Sequence, residues 1–320
     1  MANTGATQKS ARTKQNRFFV LLLVLAAFSS VVKDLERLQT FTSSVHGLTA
    51  SWLHIGSTVY ASGMSPAESN CQEALGQTAK SEQFRWTGQV AAGQSIEIKG
   101  INGSISAEPA GGGEIEVVAT KKAHRSDPEA VSIKVVPHAD GVTICAVYPS
   151  DNADQPNTCE PGRNGRGNSS VRNNDVNVNF AVRVPAGVAF IGRTVNGEIS
   201  ATSLTGNVDS RSVNGSIKIS TAGYAQAKTV NGEITAKLGN ANWPEALEFK
   251  TVNGGIDLDL PSTLSTRIEA DTFNGDISSD FPLTLLGRIS RKHMSGTIGG
   301  GGRELLLKTL NGSIRLKRGG

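Results

Sequence analysis

Asp257 and Asp259, in the stretch GIDLDL, stand two residues apart, so an extended strand presents both carboxylates on one face. Paired carboxylates are what a polysaccharide-cleaving enzyme uses as acid, base or nucleophile. The same alternation puts Ile256, Leu258 and Leu260 on the opposite face, and an acidic outer face on a half-buried strand needs no chemistry to explain it. The solvated face is the preferred reading. A second candidate, GRNGRG from Gly162, has the glycines to cradle a phosphate with Arg163 and Arg166 alongside. It lacks the Lys-Ser/Thr pair and the strand-to-helix setting of a phosphate loop, so it reads as a plain loop. His46, His54, His124, His138 and His293 are scattered, three cysteines show no zinc-ligand spacing, and no Ser-His-Asp set assembles from neighbouring residues. No catalytic, cofactor-binding or metal-binding residue is expected, and the chain reads as a non-enzyme.

Cys145 and Cys159 bracket a segment rich in Pro, Asp and Asn. Bridging them closes a loop of about 15 residues, stabilising by roughly 3 kcal/mol in the chain-entropy treatment. Such a bridge persists in an oxidising compartment, and the N-terminus supplies a route to one. Lys9, Arg12, Lys14 and Arg17 precede an apolar run from Phe18 to Val32, after which Lys33 and Asp34 restore polarity. A basic flank followed by a short apolar run is an export signal, either cleaved or kept as a membrane anchor with its basic side in the cytoplasm. The run is shorter than the ~20 residues of a comfortable span, which favours cleavage. No small-x-small site follows Phe28, and Val31, Leu35, Leu38, Val45, Leu48 and Trp52 continue at helical spacing, which favours an anchor. The expected organisation is a basic cytoplasmic head (1–17), a signal or anchor helix (18–55), a linker (56–80) with an unpaired Cys71, a β region with the cysteine loop (81–182) and a β-repeat region (183–320).

Four of the 32 basic residues lie in that head, leaving 28 against 28 acidic residues in the remainder of the 320-residue chain. A neutral body excludes the basic footprint of a nucleic-acid-binding protein. With 38% apolar residues and 36 glycines, wholesale disorder is excluded as well.

The dominant pattern is a repeat of the form apolar-Asn-Gly-x-Ile. Its copies are INGSI from Ile101, VNGEI from Val195, VNGSI from Val213, VNGEI from Val230, VNGGI from Val252, FNGDI from Phe273 and LNGSI from Leu310. LTGNV from Leu204 and MSGTI from Met294 are weaker cousins. The motif glycines are Gly103, Gly197, Gly215, Gly232, Gly254, Gly275 and Gly312. Counting the cousins, the steps from Gly197 are 9, 9, 17, 22, 21, 21 and 16 residues, which implies a unit of roughly 20 residues with a half-unit of nine or ten. In Val195 to Ala201, a strand places Val195, Ile199 and Ala201 inward and Asn196, Glu198 and Ser200 outward. Glycine then fills an inward slot without a side chain, permitting a tight turn, a bulge or a close neighbouring strand. Asparagine tolerates left-handed backbone and stacks into ladders. Asn-Gly is also the commonest hairpin turn, but regular recurrence favours coils whose rungs pair through their backbones. The expected fold is therefore all-β, a β-solenoid-like array preceded by an N-terminal hydrophobic helix.

The repeated VNGEI and VNGSI units, the opening SEQFRWTGQVAAGQSIEIKGINGSI from Ser81 and NDVNVNFAVRVPAGVAF from Asn174 resemble the bacterial DUF4097 family, labelled "putative adhesin", over roughly residues 81 to 320. The resemblance implies an exported, envelope-associated β-repeat protein without enzymatic activity. The function expected is a non-catalytic binding or scaffold module presenting its β-surface to an envelope protein or a glycan, attached to the membrane through its N-terminal helix or secreted if the signal is cleaved. The alternatives are a carbohydrate-active β-helix enzyme and an envelope-stress component acting through partners.

Overall fold

Frequent glycines and β-branched residues leave little helix-forming potential after residue 80, and in the computed structural model this part of the chain is built from strands. The structure describes residues 80–150, 156–162, 171, 173–285 and 290–319. The expected hydrophobic helix, the linker, Cys71, Arg163 and Arg166 lie outside the described residues. Among the described residues no helix is long and apolar enough to cross a membrane.

The N-terminal strands are β1 (Lys80–Gly88), β2 (Ser95–Lys99), β3 (Ile105–Pro109), β4 (Ile115–Ala123), β5 (Ser132–His138), β6 (Gly141–Val147) and β7 (Asn177–Val184), with one 3-10 turn at Pro128–Ala130. Then come β8 (Ala189–Arg193), β9 (Ile199–Leu204), β10 (Val208–Arg211), β11 (Ile217–Thr221), β12 (Ala225–Lys228), β13 (Ile234–Leu238), β14 (Leu247–Lys250) and β15 (Ile256–Pro261). The chain finishes with β16 (Thr266–Asn274), β17 (Ile277–Ser279), β18 (Leu283–Leu285), β19 (His293–Ile298), β20 (Glu304–Asn311) and β21 (Ile314–Gly319). They form two sheets. Sheet 1 has the order β1-β4-β7-β3-β9-β11-β13-β15-β21-β17, and sheet 2 the order β18-β19-β16-β20-β14-β12-β10-β8-β2-β6-β5.

The pairing follows from the repeat. From β8 onward each coil runs along sheet 2, turns at Asn-Gly, runs back along sheet 1 and turns again, so neighbouring coils pair in parallel in both sheets. The isoleucine that ends each motif then stacks on its counterparts: Ile105, Ile199, Ile217, Ile234, Ile256, Ile314 and Ile277 occupy one column of sheet 1. The first six are buried, each contributing about 1.5–3 kcal/mol of apolar burial. Antiparallel strands finish the ends: β4 and β1 beyond β7, β5 beside β6, and β19 with β18 beside β16.

Spatial order departs from chain order twice. The β2–β3 coil lies between β6–β7 and β8–β9, and the C-terminal β20–β21 coil lies between β14–β15 and β16–β17. The expected boundary between 182 and 183 falls inside β7, and strands from both sides of it contribute to both sheets.

The two weaker motif cousins do different work from the others. Gly206 of LTGNV sits at the opposite corner of its coil, against the Val188 carbonyl. Gly296 of MSGTI lies within β19, paired antiparallel to Ile268. At the Asn-Gly corners, glycine is needed for close approach. Only Gly103 (φ 130°) and Gly254 (φ 156°) among the seven have positive φ, and no motif asparagine does, which corrects the left-handed reading of these corners. A Cβ on Gly232 would stand 2.2 Å from the Gly215 carbonyl oxygen, and one on Gly215 would stand 1.9 Å from that of Gly197.

Gly232→Val should therefore lower stability by about 2 kcal/mol or more, because the obstructing atoms are backbone. Glu233→Gln, on an exposed neighbour, should stay within ~0.5 kcal/mol. Denaturant midpoints measure both, and an unchanged midpoint for the valine variant would show the corner to be open.

Candidate functional site

Three polar columns converge at the Asn-Gly corners. The outermost is a ladder of side-chain amides in which Asn196 Nδ2 donates to Asn102 Oδ1 (2.8 Å), Asn214 to Asn196 (2.8 Å), Asn231 to Asn214 (2.8 Å) and Asn253 to Asn231 (2.7 Å). It continues through the inserted C-terminal coil, with Asn311 donating to Asn253 and Asn274 to Asn311, both at 2.8 Å. All donors point the same way, so each amide polarises the next. Beneath the amides the glycine N–H of one coil donates to the asparagine carbonyl of the next, as from Gly232 to Asn253 (2.9 Å) and from Gly312 to Asn274 (2.9 Å).

The third column is one that the motif as first read misses. Two residues before each asparagine stands Thr194, Ser212, Thr229, Thr251, Thr309 or Thr272, all buried. Each hydroxyl donates to a motif-glycine carbonyl of the adjacent coil, at 2.9 Å from Thr251 Oγ1 to Gly232 and 2.8 Å from Thr309 Oγ1 to Gly254. The signal was present as Thr/Ser at a fixed offset in six of the seven copies, Gly100 standing there in the first.

Outside the corners, the outward face of sheet 1 alternates Ser, Thr and charged residues: Ser106, Ser200, Lys218, Thr235, Asp257 and Arg315 share one column. Asp257 and Asp259 do lie on one face, but each carboxylate has a cation: Lys317 Nζ reaches Asp257 at 2.8 Å and Lys237 Nζ reaches Asp259 at 3.3 Å. Arg267, the base that a carbohydrate-cleaving site would recruit, is on β16 in sheet 2. A cleft of about 440 Å³ beside Gly111–Gly113 includes Glu116 and Arg183, and these pair with Arg85 and Glu108.

Glu160 and Gly162, just past the second cysteine, contact Glu97 and Lys99 of β2 in sheet 2. Cys145 and Cys159 form a disulfide with Cα atoms 5.7 Å apart, within the usual bridging range. Beyond Cys159, the Gly162 amide donates to Glu97 Oε2 (2.9 Å), and Lys99 Nζ donates to the carbonyls of Glu160 (2.5 Å) and Gly162 (2.9 Å). Glu97 also accepts from Thr143 Oγ1 (2.9 Å) and pairs with Arg193 (2.8 Å). Burial lowers the pKa of Lys99, opposed by the Glu97 carboxylate. The first glycine amide of the GRNGRG stretch thus already faces a carboxylate. At the other end of the loop, Tyr148 donates to the Val176 carbonyl (2.8 Å), and burial raises its pKa. Asp175 accepts backbone N–H bonds from Ser126 (2.8 Å), Arg125 (3.0 Å) and His124 (3.3 Å), and these bonds, that of Ser126 foremost, hold its pKa below the ordinary carboxylate range.

Two outcomes follow from these contacts. Thr251→Val keeps the shape of the side chain and leaves the Gly232 carbonyl without its hydroxyl donor, which should cost about 1–3 kcal/mol by denaturant titration, while Thr251→Ser should retain most of the stability. For Asp175, the folded pKa lies below the unfolded value of about 3.9. Its contribution is present above that value and lost as pH falls toward the lower folded pKa. The stability gap between wild type and Asp175→Asn should narrow as the pH is taken below about 4; a gap constant down to pH 2 would contradict this.

Against known proteins, residues 193–317 match the family model described as Toastrack DUF4097. No curated protein matches the chain. Among solved structures, a "putative cell adhesion protein" from Clostridium sporogenes ATCC 15579 is similar at 12% identity, covering 75% of this chain and 100% of that one with a TM-score of 0.41. A "putative adhesin" from Bacteroides fragilis NCTC 9343 is similar at 11% identity, covering 73% and 96% with a TM-score of 0.25. The stacked Asn-Gly coils from Arg193 to Lys317 are thus the part of the chain that matches the Toastrack DUF4097 model.

Proposed function

We propose that the chain is a non-catalytic binding module of the cell envelope, whose rigid β-surface holds polar side chains at fixed spacing for an envelope protein or a glycan. The observation that carries this reading is the division of labour within each coil. Inward and corner positions are given over to Ile, Gly, Asn and Thr/Ser columns, and the outward positions of sheet 1 form an exposed field of hydroxyls and charges. Parallel pairing repeats that field every ~4.8 Å, a period that an extended polar polymer or a strand-like peptide can follow. Ion-pairing of Asp257 and Asp259 argues against a free catalytic pair. The Cys145–Cys159 bridge fits an oxidising compartment outside the cytoplasm.

The test is capture. Immobilised full-length chain, incubated with cross-linked bacterial envelopes and separately with a panel of cell-wall glycans, should retain a defined protein or glycan and release no reducing ends. Lys218→Glu reverses charge at an exposed position without entering the core. It should weaken retention about tenfold or more with an unchanged melting temperature. Reducing ends released by the wild type and abolished by Asp257→Asn would replace this reading with the carbohydrate-active one.

A further inference from the structure

The C-terminal coil occupies a slot that its place in the chain does not predict. Residues 303–319, RELLLKTLNGSIRLKRG, carry five basic residues and one acidic. The coil on one side, residues 247–261, carries Glu248, Asp257 and Asp259 against Lys250, and the coil on the other side, residues 266–279, carries Glu269, Asp271 and Asp276 against Arg267. A basic coil is therefore seated between two acidic ones. The contacts use both sides: Lys317 pairs with Asp257 of β15 at 2.8 Å, and Lys308 pairs with Glu269 of β16 at 3.0 Å and Asp271 at 3.7 Å.

Register shows what chain order would have done. Leu306 faces both Glu248 and Glu269, and Lys308 faces both Lys250 and Asp271. Removing the inserted coil and closing the gap brings Glu248 beside Glu269 and Lys250 beside Asp271 in sheet 2. In sheet 1, Asp257 faces Ser278 instead of Arg315. Like charges directly opposite one another destabilise a sheet. Direct contact would thus set one repulsive pair against one attractive pair, whereas the basic coil faces Asp257 and Asp259 with Arg315 and Lys317 and reaches Glu269 and Asp271 with Lys308.

The inserted coil is joined to β19 through Gly299, Gly300, Gly301 and Gly302. Three of these have positive φ (59°, 78° and 149°), and Gly299, Gly300 and Gly302 are exposed. Glycine at such positions lets the chain reverse and return between strands already laid down. We infer that the gap between β14–β15 and β16–β17 is a strand-acceptor site specific for a basic Asn-Gly coil, filled by this chain's own β20–β21, which docks and releases as a unit about the glycine hinge.

The inference is tested on the whole chain, carrying a protease site in place of Gly300–Gly301 and cut after folding. The cut coil should stay bound, and a fluorescent peptide of residues 303–319 should exchange into the cut protein and not into the uncut one. Asp257→Lys with Asp259→Lys should weaken peptide uptake about tenfold or more, and a peptide carrying Arg315→Glu and Lys317→Glu should restore it. Uptake indifferent to these reversals, or no exchange short of global unfolding, overturns the inference. Should the insert impair folding, hydrogen exchange on the unaltered chain decides. The amides of β20 and β21 should open together, before those of β10–β13 and more readily at high salt; opening only with the whole array overturns it.

Discussion

Everything in the array rests on one backbone contact, the approach of each motif glycine after Gly103 to the carbonyl of the glycine in the adjacent coil. A Cβ on Gly197, Gly254, Gly275 or Gly312 would lie 2.0 Å from that oxygen, so the approach exists only because the side chain is absent. Once the corners are this close, their polar groups satisfy one another. The glycine N–H meets an asparagine carbonyl, the glycine carbonyl meets a buried Thr or Ser hydroxyl, and the asparagine amides bond along the outer edge. The isoleucine columns then fall into register without further instruction. A wider corner would leave the glycine carbonyls buried and unmatched, at about 1–3 kcal/mol each.

Uniform corners create an ambiguity that the corners cannot resolve. Every coil bearing Thr-x-Asn-Gly-x-Ile offers the same corner groups to its neighbour, so the corners alone do not determine which coil neighbours which. Outward residues break the degeneracy. Arg315 faces Asp257 and Lys317 faces Asp259 across β15 and β21, and Lys308 is held between Lys250 and Asp271 with Glu269 in reach. Exposed ion pairs contribute little to stability one at a time, yet pairs matched across a strand interface favour one neighbour over another.

These two levels explain what was legible in the sequence. The strand alternation around Ile199, the unit of about 20 residues and the need for close approach at Gly232 are local properties, and local spacing reveals them. The Thr/Ser column escaped notice because the motif was read from its aliphatic residue onward, one position too late to include Thr229 or Thr251. Gly206 and Gly296 share the string xGx[IV] with the corner glycines, and that string does not distinguish one corner of a coil from the other, or a corner from an antiparallel edge. The placement of β20–β21 leaves no mark in the spacing, since the same motif recurs in each coil and spacing does not tell which coils are neighbours. Asp257 and Asp259 were correctly placed on one face; their lysine partners, 60 residues away for Lys317 and 22 for Lys237, come from other coils and leave no trace in the motif.

The same separation of roles bears on function. Corner and core columns tolerate little change, because each group there is bonded or packed against its counterpart one strand away. Outward positions of sheet 1 away from the β15–β21 ion pairs have no such duty: Ser200, Lys218 and Thr235 occupy equivalent sites on consecutive coils and differ in size and charge. Surface changes at such positions cost little stability, so recognition can diverge while the scaffold stays fixed. The match to the Toastrack model therefore concerns what the coils share, and the residues in which they differ are where the proposed recognition is to be sought.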